Sequence, residues 1–272
     1  MQGGQSGGMG EDLKFFVGTK EEYLDILKTS YETIKKADSD AKVLHAGMAG
    51  MQKEAVDFFE PIFSAEGGKY FDIANNHTIS TDEGREDLSM IKFKDLLTIR
   101  GLGDKPVWLT EVQFGSLQEK PKDLTEFEKL MARATVFALS KGAEKLFYIE
   151  NWLMWEKDEA QKEKKPTPLD KNNSTNKVYL NLVNTMNQFD KIETIKEDYV
   201  LNQRQDEGAT SKIGQYKIIN GSNIIYALWG KAELPSEITG KIIVTDIYGE
   251  KNETDAEKLT LSDSPVFIEI AR

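Results

Sequence analysis

Through residue 195 this chain repeatedly sets a short, nearly unbroken apolar run against an amphipathic stretch of helical period, and no other feature limits its fold so much. The apolar runs fall at residues 42–47 (KVLHAG), 70–75 (YFDIAN), 106–111 (PVWLTE) and 144–149 (EKLFYI). Helices are predicted around and between them. Thr19 and Glu22 are spaced as a capping box ahead of Tyr23, Ile26, Leu27, Tyr31 and Ile34, and Ser39 and Asp40 close that helix. Further helices are predicted over 52–63, 89–100 and 123–141, and Val178, Leu182, Val183, Met186 and Phe189 mark a last one. Strands this short and this apolar are covered on both faces, and strands that alternate with helices pair in parallel. The expectation is an α/β fold.

Beyond residue 195 the texture changes. Apolar runs at 216–219, 224–229, 241–246 and 266–269 are parted by turn residues such as Asn220, Gly221 and Ser222, with no helical period between them. This predicts an antiparallel β-domain of sandwich type over 196–272, following a catalytic-type α/β unit over 19–195. Residues 1–18 begin Gly-rich and polar and read as a flexible segment, without the basic and apolar regions of a signal peptide. The Lys-rich stretch 156–176 reads as a solvated loop.

Composition then removes function classes. Acidic side chains outnumber basic ones 46 to 35, a formal charge of −11, which repels phosphate backbones and argues against nucleic acid as a partner. No apolar window is long enough to cross a bilayer. The absence of cysteine excludes disulfides, thiolate zinc sites and thiol catalysis, and His45 and His77 are too few for a His-rich metal site. No metal or cofactor is expected.

In parallel α/β folds chemistry gathers at the carboxyl ends of strands. That rule points to the residues after Gly47, to Asn75, Asn76 and His77, to Thr110 and Glu111, and to Glu150 and Trp152. Glu111 stands out, because a carboxylate directly after Val107, Trp108, Leu109 and Thr110 costs several kcal/mol to bury unless it is paired or used. Helix capping or a salt bridge would also account for it. Gln113 and Glu150 are weaker candidates, since each could face solvent or an ion pair. His45, inside an apolar run, is expected in the core.

The run KPVWLTEVQFG at 105–115 resembles the seventh strand of the clan A retaining glycoside hydrolases, most closely the β-xylosidase/α-L-iduronidase family (family 39). Residues 70–77 (YFDIANNH) are similar to its sixth strand, although Ile79 stands where that family has a tyrosine. Trp152 matches the eighth-strand tryptophan that stacks on sugar, and the sequence from Leu228 to Val266 resembles the trailing β-domain. The resemblance implies strands five to eight of a TIM-type (β/α) barrel, a partial barrel followed by a β-sandwich. It implies Glu111 as nucleophile, with Asn76, His77, Gln113, Glu150 and Trp152 near an oligo- or polysaccharide substrate. The family's acid/base lies in an Asn-Glu-Pro turn, which this sequence lacks. Retention needs two carboxyls about 5–5.5 Å apart, so turnover by this chain is expected to be impaired. A half barrel exposes sheet edges, so a homodimer or a complementing N-terminal half is the expected partner. Saccharide binding without turnover, or an inactive gene fragment, is the alternative.

Overall fold

The computed structural model describes residues 16–115, 120–150, 173–202 and 208–271. Helix α1 (Lys20–Ala37) starts at the expected capping box: Thr19 accepts from the Glu22 amide while the Glu22 carboxylate accepts from the Thr19 amide. Of the segment 1–18, Phe16 lies edge-on to Tyr23 and Phe58.

The parallel sheet comprises β1 (Met48–Ala49), β2 (Ala74–Thr81), β3 (Val107–Phe114) and β4 (Ala143–Tyr148), hydrogen-bonded in that order. Helices α2 (Lys53–Phe59), α3 (Met90–Ile99) and α4 (Leu124–Ser140) connect them. Strands that follow one another in space as in sequence, joined by right-handed crossovers, keep every helix on one face. Doubly wound sheets reverse their order and place helices on both. The other face of this sheet is therefore left to other partners. Among the described residues, β1 and β4 each pair with one neighbour, so the sheet has two edges and no closed barrel is present.

The first two strands differ from expectation. Residues 42–47 make one isolated bridge, Leu44 to Ile73, and the next strand starts at Ala74 rather than at residue 70. Side chains take the backbone groups that a ladder would use. The Val43 amide donates to Asp72, the Ala46 amide to the Tyr23 hydroxyl and the Asn75 amide to His45 Nε2. Helix α2 stops at Phe59, short of the expected 63, because Pro61 has no amide hydrogen to continue it. The helix over α5 (Ser174–Met186) begins inside the stretch expected as loop, with Asn173 as its cap.

Strands β5 (Lys191–Asn202), β6 (Gly208–Asn220), β7 (Asn223–Trp229), β8 (Lys241–Thr245), β9 (Lys251–Asp255) and β10 (Val266–Ala271) form the antiparallel part. The border expected between residues 195 and 196 falls inside β5, which charged residues disguise in the sequence. The six strands make one sheet, ordered β5-β6-β7-β10-β8-β9, rather than the two layers of a sandwich. β10 is the reason, since it bonds β7 on one side and β8 on the other. One face, with Tyr216, Ile218, Ala227, Trp229 and Phe267, joins the main core. The opposite face has its own small core around Tyr226, Leu228, Ile242, Val244 and Ile268.

Buried carboxylates tie the two sheets together. Glu86 accepts from Arg133 Nε and Nη2 at 3.1 and 2.9 Å and from the Ser211 amide at 2.9 Å. Asp87 accepts from the amides of Ala209 and Ile91 at 2.8 and 3.1 Å. Glu128 accepts from Ser174, Thr175 and the Tyr248 hydroxyl. The first two also hold a turn in which Leu88 and Ser89 both have left-handed φ angles, 51° and 58°. Such conformations cost about 1–2 kcal/mol per residue and persist only when the surroundings fix them.

Candidate active site

Glu111 owes its position to a fault in strand pairing. Val107 and Leu109 are fully buried against the helices, and regular alternation would send Glu111 into the same layer. The register between β2 and β3 steps from Asn76–Leu109 to His77–Glu111, so Thr110 is an extra residue on β3. A bulge of this kind re-aims the side chain that follows it. Glu111 emerges with its side chain 48% exposed. It is not the last residue of its strand, as the sequence suggested, because β3 continues to Phe114.

His77 faces it. The Nδ1 atom lies 3.4 Å from Glu111 Oε2, and Nε2 lies 2.9 Å from the Thr110 hydroxyl. Thr110 donates in turn to Asn75 Oδ1 at 2.9 Å, and Asn75 is anchored on His45. Burial lowers the pKa of His77, and the charge of Glu111 opposes that shift. His45 is wholly enclosed, packed among Phe59, Phe63 and Phe71, and burial pulls its pKa down to about 4. It is the core residue that its surroundings in the sequence suggested.

On the sheet face opposite the helices, Trp108 packs beside two neighbours from β4. Lys145 Nζ stands 4.3 Å from its ring centre, and the Phe147 ring lies 6.0 Å away. Phe147 is 45% exposed. Neither Lys145 nor Phe147 was singled out from the sequence. Reading 144–149 with period two would have set them on one face, apart from Leu146 and Tyr148.

The other expected residues are placed differently. Asn76 is completely buried, its amide atoms without hydrogen-bond partners. Gln113 is buried too and donates to the Gly115 carbonyl at 2.8 Å. Neither is exposed as Glu111 is. Glu150 is half-buried beyond β4, close enough to Tyr179 for its charge to help raise that phenol's pKa, after burial. Trp152 lies outside the described residues. Among those described, no group of three or more His, Cys, Asp or Glu side chains is placed to hold a metal ion, and no helix is long and apolar enough to cross a membrane.

No protein-family model matches this sequence, and comparison with curated proteins finds no relative. Solved structures do match. A family 51 α-L-arabinofuranosidase, AbfB from Bifidobacterium longum, superposes with a TM-score of 0.56 at 10% identity over 94% of this chain and 64% of its own. A family 30 endoxylanase from Clostridium papyrosolvens gives 0.55 at 10% identity, over 94% and 61%. A glucosidase from Croceicoccus marinus gives 0.54 at 10% identity, over 94% and 66%. The chain has the fold of one part of a glycoside hydrolase. It spans less than two thirds of the length of each of these three.

Beside the edge of β4 that no described strand pairs runs a groove of about 780 Å³, lined by Leu146, Tyr148, Leu182, Met186 and Phe189 among others. Tyr148 hydrogen-bonds Thr135 beneath it, and burial drives its pKa upward. The backbone of an edge strand in such a groove can pair with a further strand.

Proposed function

We propose that this chain is the nucleophile-bearing part of a retaining O-glycosidase that acts on oligo- or polysaccharides. One observation carries the reading: the bulge at Thr110 turns Glu111 out of the core and sets it beside His77. The likeness of fold to an endoxylanase, a glucosidase and an arabinofuranosidase supports it. In this reading Glu111, ionised, attacks the anomeric carbon and forms a glycosyl ester while a second carboxyl protonates the departing oxygen. Glu150, two residues beyond β4, is the candidate for that role. Without a well-placed acid the reaction forgoes about 10²–10⁴-fold in rate. We therefore assign the open edge of β4 to further strands of the fold, from a complementing polypeptide or a second copy of this chain. A purified chain that stays a compact monomer in light scattering, whatever its concentration, would refute that assignment.

Saccharide binding without turnover is a second reading, favoured by the exposed Phe147 beside Trp108. Activated 2-fluoro glycosides separate the two, because they bring their own leaving group and need no acid. A covalent adduct seen by intact mass in the wild type and absent from Glu111→Gln is the expected result. Folded protein that no such reagent labels would sink the nucleophile assignment. Sugar-dependent stabilisation that is unchanged by Glu111→Gln would then favour the binding reading.

A further inference from the structure

The hydrogen bonds around His77 determine where its proton sits. Asn75 Nδ2 faces the His45 carbonyl at 3.3 Å, and Asn75 Oδ1 faces the Thr110 amide at 3.3 Å. A carbonyl only accepts and an amide N–H only donates, so the orientation of the Asn75 side chain is fixed. The Thr110 hydroxyl, 2.9 Å from Asn75 Oδ1, must then spend its single proton there. It has only lone pairs left for His77 Nε2, also at 2.9 Å, so that nitrogen must be the donor. Gly47 fixes the ring from the other side. A methyl group at Gly47 would lie 1.8 Å from Nε2, so only glycine lets the imidazole settle here.

We infer that Asn75 and Thr110 are positioning residues that hold neutral His77 as its Nε2–H tautomer, so that the Nδ1 atom turned toward Glu111 carries no proton and leaves the carboxylate free to attack. The catalytic consequence rests on the nucleophile reading above; the tautomer does not. Among the described residues, the titratable groups acting on His77 are Glu111 from β3 and His45 from the segment before β1. When His77 gains a second proton, its positive charge stands 3.4 Å from Glu111 Oε2 and holds the nucleophile in an ion pair. Without the Thr110 hydroxyl, the neutral ring is free to take the Nδ1–H form and put a proton on the nitrogen turned toward Glu111.

His45 shows the opposite arrangement within the same fold. Its Nδ1 lies 2.7 Å from the Ala46 carbonyl and must donate, while Nε2 accepts from the Asn75 amide. The chain's two histidines should therefore be opposite tautomers. Proton–nitrogen correlation spectra of histidine-labelled full chain test this directly, because long-range couplings identify the protonated nitrogen. At neutral pH one ring is expected as Nδ1–H and the other as Nε2–H, the latter missing from His77→Gln. In Thr110→Val the His77 signals should move to the Nδ1–H pattern, and in Thr110→Ser they should remain as in the wild type. Wild-type His77 in the Nδ1–H form would overturn the inference. So would an unchanged pattern in Thr110→Val with the His45 signals intact. If the valine variant does not fold, the wild-type and serine spectra still decide. In labelling with 2-fluoro glycosides, Thr110→Val should react about tenfold more slowly at neutral pH, and Thr110→Ser at the wild-type rate. Correct tautomers in a chain that no reagent labels would leave the positioning intact and remove the glycosidase reading.

Discussion

The two sheets of this molecule both slip in register, but they carry different side chains where they do so. In the antiparallel sheet, β6 and β7 run in step from Gly214–Trp229 to Asn220–Asn223 without a break, while β5 and β6 slip between Thr194 and Lys196 and between Asp198 and Tyr199. In the parallel sheet the register shifts between β2 and β3 and again between β3 and β4. Among the described residues both sheets have two open edges, but the parallel one has the shortest strand and carries every residue with a chemical assignment. Regular pairing satisfies the backbone; a bulge gives up part of that to aim a side chain. The comparison teaches that a pairing fault marks a candidate site only where it brings polar side chains together, as it does Glu111 and His77.

Breaking the joint between the sheets should have the largest effect. Arg133→Met takes two charged donors from buried Glu86, and a loss of about 3–5 kcal/mol is expected from urea denaturation. Acid comes next and should separate the two regions. The pKa of His45 falls from 6.5 to about 4 on folding, so the unfolded chain binds more protons across that window. Stability is then complete above the upper value and falls as pH drops through the lower, by about 3 kcal/mol. Denaturation at pH 7 and pH 4 measures the loss, and hydrogen exchange should place it at the Asn75 amide, whose acceptor is the nitrogen being protonated. Asp87 works the other way. Burial raises its pKa despite the amides that favour its charge, so acidification through that range relieves a cost where it meets β6. Protection of the Ala209 amide should outlast that of Asn75 as pH falls. A smaller effect, about 1.5 kcal/mol, is expected for Tyr248→Phe, which takes one of three hydroxyl donors from Glu128. Lys53→Ala removes only an exposed ion pair with Asp57 and should leave the denaturation midpoint unmoved.

The helices, and the strands at 107 and 143, were legible because apolar periodicity and capping residues are local signals. Thr19 with Glu22 is an example that the structure reproduces. What escaped was set by long-range exchange of hydrogen bonds. Residues 42–47 have the composition of a strand, yet Asp72, Tyr23 and His45 take or supply the groups that a ladder would need. β5 escaped because its charged residues, exposed along much of its length, conceal an alternation that only its pairing with β6 makes useful. Glu111 and His77 were legible as a pair of polar residues in apolar surroundings. The bulge that brings them together was not, because a bulge depends on the neighbouring strand and not on the residues of its own.

The buried carboxylates between the sheets bear on how such a chain can be rearranged. A crossover point placed before β5 would seem natural, since helices end and antiparallel strands begin there. Recombination at that point would part Glu86 from the Ser211 amide, Asp87 from that of Ala209 and Glu128 from the Tyr248 hydroxyl. A transplanted sheet would have to present the same donors at the same places, or leave carboxylates sealed away from water with too few of them. The two halves can therefore be exchanged between proteins only as a matched set, and homologous chains should show them inherited together.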